Sequence, residues 1–563
     1  MKGLVKSLRP AWLDGYDGAA FGRDALAGAI LSVLLIPQAM AYATLAGLSP
    51  GAGLLTAMVA PLLYALLGQA AAVSLGPVAL ASLLVADAVG SGVAGPQSVD
   101  AIVAVEAGAM LAILGLTGMG RLVNFVSEPV LLGFTAAAAV LIAVSQLPGL
   151  LGMDADRAGN LLGAGRALFD AGAPDAATTI LGVMALLGFL FGERLMRRIA
   201  LLFRLTGTPR LAFLKTTQLA VIFLATLAAV WLLPSVDRVP NPDAGLPRLV
   251  VPLAPLGVWT QLLFPSLVIA VVVFVTGTAV AKSISSRRRK ALDTSQEALA
   301  IGAANLATGL TGGYATGVSL SRSALVDDAG GVSPLSSAIG GLIVVPVSLF
   351  GGAILALLPK AALAALVISA VVGLVKLREI RAVLDHSRSE AAVIAVTFLA
   401  TLALGVQWGL LAGALAGIAQ FLWASSLPRV TREGEDPETG LFRSVERDDV
   451  RSDTGPVLVI RIDRPLYFGN VGHAEDRVSR IVADHPEAEV LVLDMRAVTD
   501  VDATGLRMLT RLLDTIEERD LRVIFASLQR PVRAALDGQK HIDRCAHFDT
   551  VPEAVRMARE GQA

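Results

Sequence analysis

The chain has 563 residues, of which 55% are hydrophobic and only 17% charged, with a mean hydropathy of +0.68. Soluble globular proteins carry roughly 25% charged residues, so a wholly water-soluble fold is excluded. The net charge of −1 gives no electrostatic footprint for nucleic acid, and the single cysteine, Cys545, rules out a disulfide framework within the chain.

The charge deficit is uneven. Residues 25–425 are mostly Ala, Leu, Val and Gly, whereas 429–563 are dense in Arg, Asp and Glu. Four segments are expected: an N-terminal cytoplasmic stretch 1–24, a membrane domain 25–428, a linker 429–454 and a soluble domain 455–563. The N-terminal stretch is polar and basic and lacks the short apolar run and cleavage site of a signal peptide.

A membrane helix needs about 20 apolar residues. Twelve spans fit, near 25–46, 51–68, 101–120, 127–147, 177–192, 218–234, 260–281, 294–310, 338–358, 361–376, 390–405 and 407–427. Two further segments, 76–90 and 319–330, are apolar but short and open on Gly, Pro or Ser. They read as half-helices, third and tenth in order. Such breaks survive in a bilayer only when buried in protein or lining a watery cavity.

Basic loops set the orientation. Lys2, Lys6 and Arg9 precede the first span. Arg194, Arg197, Arg198, Arg204, Arg210 and Lys215 form one cluster, Lys282 with Arg287 to Lys290 a second, and Lys376, Arg378, Arg381 and Arg388 a third. All fall on one side if both short segments count as membrane elements. The opposite loops, 148–176 and 235–258, carry mixed charge, including Asp154, Asp156, Arg157, Asp170, Asp175, Asp237, Arg238 and Asp243. Both termini are therefore expected in the cytoplasm, around fourteen membrane elements.

The half-helices read VSLGPVALASLL (73–84) and GGYATGVSLSRSAL (312–325). Paired interruptions at equivalent places in two halves point to inverted repeats around a central substrate site. Helix N-termini meeting there would attract anions. Arg322 lies in the first turn of the second half-helix. It either pairs with a structural acid or snorkels to the interface, or it serves function, as intramembrane cations usually do. Acids are sparse in the spans, Asp87, Glu106 and Glu128 among them, so the anion-trap reading is preferred. Gln38 and Tyr42 share one face of the first span. They hydrogen-bond either a ligand or a broken helix end, and both alternatives stay open.

Past Gly455 the pattern changes. VLVIRI (457–462), VLVLDM (490–495) and LRVIFASL (521–528) read as strands, and 474–485 and 504–519 as helices, giving a small α/β domain. The turn from Asp500 to Gly505 supplies a helix N-cap in Asp502 or Thr504. No nucleotide-binding loop or metal cluster is evident. The five histidines, His386, His473, His485, His541 and His547, lie outside the predicted core. Neither an enzyme nor a cofactor is expected.

PQAMAYA (37–43), GPVALASLL (76–84) and the run from Thr276 to Leu325 together resemble the sulfate permease (SulP) family of anion transporters. The resemblance spans about 20–555 in family order, and the C-terminal part is similar to a STAS domain. It implies a seven-plus-seven inverted-repeat fold and a homodimer. Elements one to four and eight to eleven would form a core domain that moves against a gate, elements five to seven and twelve to fourteen, in an elevator-type cycle. It implies a substrate site formed by Gln38, Tyr42, Val78, Thr276, Ser319, Leu320, Ser321 and Arg322. Sulfate is the first substrate suggested, with bicarbonate or a dicarboxylate also fitting. Two departures stand out. The family's span-eight glutamate is Thr276 here, which argues against cation coupling by that route and favours anion exchange or a more highly charged anion. Ala315 stands where the family often has proline. In the STAS turn Ala503 removes one hydroxyl and leaves Thr504 as a regulatory candidate, with cytoplasmic proteins as partners. The competing readings are a nucleobase symporter of the same fold, and a membrane sensor or scaffold signalling through the STAS domain.

Overall fold

The computed structural model describes residues 10–90, 99–202, 207–242, 245–446, 455–539 and 544–561. Lys2, Lys6, Arg9, Arg204, Asp243 and His541 lie outside them, as do the side chains of Arg210 and Lys215. The chain divides into two compact units, 1–417 and 418–563.

The first unit is helical. Its first seven main helices are α1 (Gly18–Ala46), α2 (Pro50–Leu67), α3 (Ala79–Gly90), α4 (Val99–Leu116), α5 (Glu128–Ser145), α6 (Ala176–Leu202) and α7 (Gly207–Trp231). The second seven are α8 (Leu256–Arg287), α9 (Thr294–Gly309), α10 (Leu320–Asp328), α11 (Leu335–Phe350), α12 (Lys360–Val372), α13 (Arg388–Leu404) and α14 (Val406–Ser426). Among the described residues, eight helical segments are long and apolar enough to cross a bilayer, and three more are apolar but shorter. The remaining three of the fourteen are α9, α10 and α13. They are short or carry polar groups that other elements satisfy, so length and hydropathy alone under-count the membrane elements.

Local chemistry sets the ends. Asp17 caps α1 by accepting from the Ala20 amide, and α1 stops at Gly47 in the left-handed conformation, φ 83°. α2 starts on Pro50, whose missing N–H is not needed in a first turn.

Glycines fix the packing of the elements around the breaks. A Cβ on Gly108 of α4 would lie 2.6 Å from the Leu306 nitrogen of α9, and one on Gly302 of α9 would lie 2.5 Å from the Ala112 nitrogen. α1 and α11 meet in the same way, with Gly28 against the Ser336 carbonyl at 2.6 Å. Without a hydrophobic drive between helices in lipid, such small-residue contacts are what allow close approach. Gly409 and Gly413 of α14 likewise pack on Thr401 and Thr397 of α13.

The second unit holds a six-stranded sheet in the order β4-β3-β5-β6-β7-β8. The strands are β3 (Val430–Glu435), β4 (Phe442–Ser444), β5 (Val457–Ile462), β6 (Val490–Asp494), β7 (Arg522–Ala526) and β8 (Ala546–Phe548). β5 to β8 run parallel, and β3 is antiparallel to both β4 and β5. Helices α15 (Val471–Ala483), α16 (Ala503–Glu517) and α17 (Arg530–Leu536) cover one face, and α18 (Val551–Arg559) covers the other.

The segment expected as a linker, 429–454, is not one: it supplies β3 and β4, while 447–454 lie outside the described residues. β3 reads VTREGE, too charged to announce a buried strand. Its Glu433 is nevertheless sealed inside, held by Arg461 at 2.7 Å and Arg496 at 2.8 Å. Burial pushes the Glu433 carboxyl up to about 7, against the pull of both guanidiniums and with Asp494 adding like charge.

Candidate substrate site

The two interruptions meet as two-residue strands. β1 (Leu75–Gly76) pairs antiparallel with β2 (Gly317–Val318), matching Leu75 with Val318 and Gly76 with Gly317. The Ser319 amide donates to the Ser74 carbonyl at 3.0 Å, and the Ser74 amide donates to Ser323 Oγ at 2.9 Å. Backbone that a helix would have satisfied internally is thus satisfied across the pair. α3 and α10 then start from opposite ends of this crossing.

The crossing is braced from several helices. Asn305 of α9 holds the strand before β2 twice, accepting from the Thr316 amide at 2.8 Å and donating to the Thr316 carbonyl at 3.1 Å. Thr56 of α2 accepts from the Tyr314 amide at 2.9 Å. The Tyr314 hydroxyl meets Ser82 Oγ of α3 at 3.0 Å, and Ser337 of α11 donates to the Val73 carbonyl at 2.8 Å. Close approach matters at Gly317, where a Cβ would sit 2.9 Å from Val78 Cγ2.

Arg322 is fully buried, 0% exposed. Its Nη2 donates to the Pro77 carbonyl at 2.8 Å, its Nη1 to Gln38 Oε1 at 3.2 Å, and its Nε to Ser74 Oγ at 3.3 Å. Every one of these acceptors is neutral, and no described carboxylate pairs with it. No described carboxylate offsets the guanidinium, which lies beside the start of α3 and in the first turn of α10. Five N–H donors in a rigid fork suit an oxyanion.

The other expected residues are placed unequally. Gln38 is 3% exposed and spends its carbonyl on Arg322, so the helix-break alternative holds for that oxygen. Tyr42, 6% exposed, is buried on the same face of α1, and its hydroxyl makes no hydrogen bond to a described residue. Val78 precedes α3 and packs on Gly317. Ser319 caps α10, accepting from the Arg322 amide at 3.4 Å, and Ser319 Oγ lies 3.3 Å from Ser321 Oγ. Leu320 is exposed in the first turn of α10. Thr276 of α8 turns its hydroxyl back onto the Val272 carbonyl at 2.6 Å. Its neighbour Gly277 is what abuts Val318 of β2.

Sequence reasoning missed Ser74, the Pro77 carbonyl and Tyr314. Ser74 is a lone hydroxyl in an Ala-Val run just before the break. A carbonyl ahead of a half-helix leaves no trace in residue type. The buried hydroxyls of Thr278 on α8 and Thr316 ahead of β2 also find no protein partner among the described residues.

In the second unit Asp502, not Thr504, is the N-cap of α16. It accepts from the amides of Thr504 at 2.9 Å and Gly505 at 2.7 Å, and its other oxygen accepts from the Phe468 amide. These amides hold the Asp502 carboxyl below its ordinary range. Thr504 stands half-buried in the first turn with Arg507 Nη2 at 3.4 Å.

The fold is that of a multi-pass membrane carrier with two seven-element halves and an appended α/β domain. The Sulfate permease family model matches residues 21–397, and the STAS domain model matches 449–554. The chain is 31% identical over 548 residues to a probable sulfate transporter of Mycobacterium tuberculosis, covering 95% of each chain. It is 28% identical to the chloroplastic sulfate transporter 4.1 of Arabidopsis thaliana, covering 93% of this chain and 78% of that one. The chain belongs to the sulfate permease family. In fold it matches murine Slc26a9, an anion transporter solved in its inward-facing state, with a TM-score of 0.87 at 22% identity, covering 100% of this chain and 95% of that one. The transmembrane domain of the cyanobacterial bicarbonate transporter BicA aligns with a TM-score of 0.59 at 20% identity, covering 72% of this chain and 98% of that one.

Proposed function

We propose that this protein is a secondary transporter of small anions, with sulfate the first candidate and bicarbonate or a small dicarboxylate the others. The observation that carries this reading is Arg322, fully buried between two helix starts and hydrogen-bonded only to neutral groups. A cation held by neutral acceptors alone keeps an uncompensated charge that a transported anion would meet. Gln38, Tyr42, Val78, Thr276, Ser319, Leu320 and Ser321 surround or support that position in this reading. The names of the relatives support it as well, since those proteins are called sulfate and anion transporters.

The movement in this reading is of one helix group against the other. α1 to α4 with α8 to α11 form a core that carries both breaks, and α5 to α7 with α12 to α14 form a gate. An elevator step moves the core along the gate while the site stays intact inside it. A nucleobase symporter needs an acid at the base, and none lies against Arg322 among the described residues. In this reading the protein sits in the cell membrane as a homodimer with both termini cytoplasmic. Thr504 is offered as a phosphorylation point on the STAS domain, which would carry contacts to cytoplasmic proteins.

The test is uptake into proteoliposomes of labelled sulfate, bicarbonate, chloride and a dicarboxylate, each with and without the unlabelled anion inside. Saturable uptake of at least one anion, accelerated by anion inside, is expected. Failure of all four to cross, in protein that is folded and inserted, would remove the reading.

A further inference from the structure

The membrane unit holds a second polar feature, distant in sequence from Arg322. A cavity of about 560 Å³ opens between the last turn of α1, the far end of α3 and the start of α14. Thr44, Asp87, Asp156, Arg157, Gln407 and Trp408 are among its walls. It lies on the side of loop 148–176. Two carboxylates and one guanidinium leave it net negative, the opposite of the Arg322 site.

Seven described acids lie on the core helices; Asp327 is paired with Arg288, just past α8, at 2.5 Å, and Asp24, Asp87, Glu106 and Glu297 differ in their surroundings. Asp24 of α1 accepts from the amides of Val332 at 2.7 Å and Ser333 at 3.2 Å. Glu106 of α4 accepts from Ser266 Oγ of α8 at 2.7 Å, and Glu297 of α9 accepts from the Tyr64 hydroxyl of α2. All three pairs lie wholly inside the core, so they travel with it unchanged. Asp87 does not. It is carried by α3, a core half-helix, yet it lines the cavity with Gln407 of the gate helix α14. It also sits 3.2 Å from the Cβ position of Gly159 in the loop after α5. Any slide of core against gate changes the surroundings of this carboxylate and leaves those of Asp24, Glu106 and Glu297 as they were.

We propose that Asp87 is the coupling carboxylate of this transporter, taking up a proton from the loop 148–176 side and carrying it with the core. This rests on the reading of the protein as an anion transporter. Asp87 would serve in place of the acid that Thr276 replaces. The step balances simply: hydronium gives its proton to the carboxylate, which becomes a neutral acid, and the reverse transfer to water follows on the other side. Neutralisation removes the cost of dragging a charge along a seam of low dielectric. It also lowers the negative potential past which an anion must move.

The charged and titratable groups around Asp87 are few. Asp156 and Arg157 share its cavity, and Arg157 Nη2 donates to the Thr44 carbonyl at 3.2 Å, at the negative end of the α1 dipole. The helices packed on α3 are α1, α4, α5 and α8. They contribute Arg23, Asp24 and Tyr42, then Asp100 and Glu106, then Glu128, then Lys282 and Arg287, none of which lines the cavity.

The experiment measures two rates in proteoliposomes with labelled sulfate: exchange at equal pH, and net uptake with the outside made acidic. Native protein is expected to exchange, and to accelerate uptake severalfold when the outside is acid. Asp87→Asn is expected to keep exchange within about twofold and lose the acid stimulation, because the charge-neutral step no longer depends on a proton. Asp87→Glu should retain stimulation. Gln407→Leu, which strips the facing amide, should move the pH midpoint of stimulation and leave exchange intact. Full stimulation in Asp87→Asn overturns the proposal. So does native exchange with no response to pH, equal loss of both rates in Asp87→Asn, or an unmoved midpoint in Gln407→Leu. Absence of native exchange for sulfate and every other anion tested would instead overturn the transport reading itself.

Discussion

The two helix breaks have matching backbones and opposite side chains. At the first, Leu75–Gly76 leads through Pro77 and Val78 into α3, and nothing there is charged. The first break contributes acceptors, namely the Pro77 carbonyl and Ser74 Oγ. At the second, Gly317–Val318 leads through a capping serine into α10, whose third residue is the buried Arg322. The second break contributes the donors. Symmetry of the fold brings two positive helix ends together, and asymmetry of the sequence decides which half supplies the full charge. A site of this kind needs the backbone from both repeats and the cation from only one.

The largest effect that probes this division is Arg322→Ala. It deletes charge-assisted hydrogen bonds of roughly 1.5–3 kcal/mol each, so anion transport should fall by about a hundredfold or more. The same variant strands the Pro77 carbonyl and Gln38, so thermal stability in detergent should fall too. Arg322→Lys should restore part of the stability and little of the transport, because a point charge cannot reproduce the fork. Equal transport in Ala and native protein would mean that the second break contributes no charge to function.

Next come the paired glycines. Gly317→Ala drives a Cβ to 2.9 Å from Val78, while Gly76→Ala meets Arg322 Nη2 at 3.4 Å and Leu35 at 3.8 Å. Overpacking at Gly317 should lower stability by about 1–3 kcal/mol. Gly76→Ala should leave the melting temperature near native and act mainly on the apparent affinity for the anion. Reversal of that order would show that the first break, not the second, is the tighter joint.

Smaller effects belong to the acceptors. Gln38→Ala and Ser74→Ala each remove one neutral partner of the guanidinium and leave its charge in place. Each should raise the KM of uptake about fivefold, with a lesser change in the maximal rate. The smallest effect is expected from Ser319→Ala. Its long cap bond, 3.4 Å to the Arg322 amide, puts the loss at the low end of the roughly 0.5–2 kcal/mol range for caps. A shift of melting temperature without loss of transport would mark Ser319 as a cap only.

Much of this was legible before any coordinates. Hydropathy placed twelve spans, and Gly, Pro and Ser at 76–77 and 319 marked both breaks, because interrupted apolar runs have few other causes in a membrane. Arg322 stood out as a cation in the first turn of an apolar half-helix. Its partners were not legible. Two of them are a backbone carbonyl and a serine 248 positions away, and neither residue type nor spacing encodes contact across inverted repeats. β3 was hidden for a related reason. Glu433 looks like a surface residue until Arg461 and Arg496 are seen closing on it. The role given to Thr276 came from its alignment to an acid. Its side chain turns back to its own helix, which only coordinates reveal.

In the proposed transport reading the anion sits where α3 and α10 begin, against Arg322. Selenate, a heavier stand-in for sulfate, makes that location visible in a density map of the full-length protein. Selenate density between the two helix starts, within hydrogen-bond reach of Arg322 and lost in Arg322→Ala, is the predicted result. Selenate bound elsewhere in the membrane unit, or density at the crossing that survives removal of the guanidinium, would contradict it.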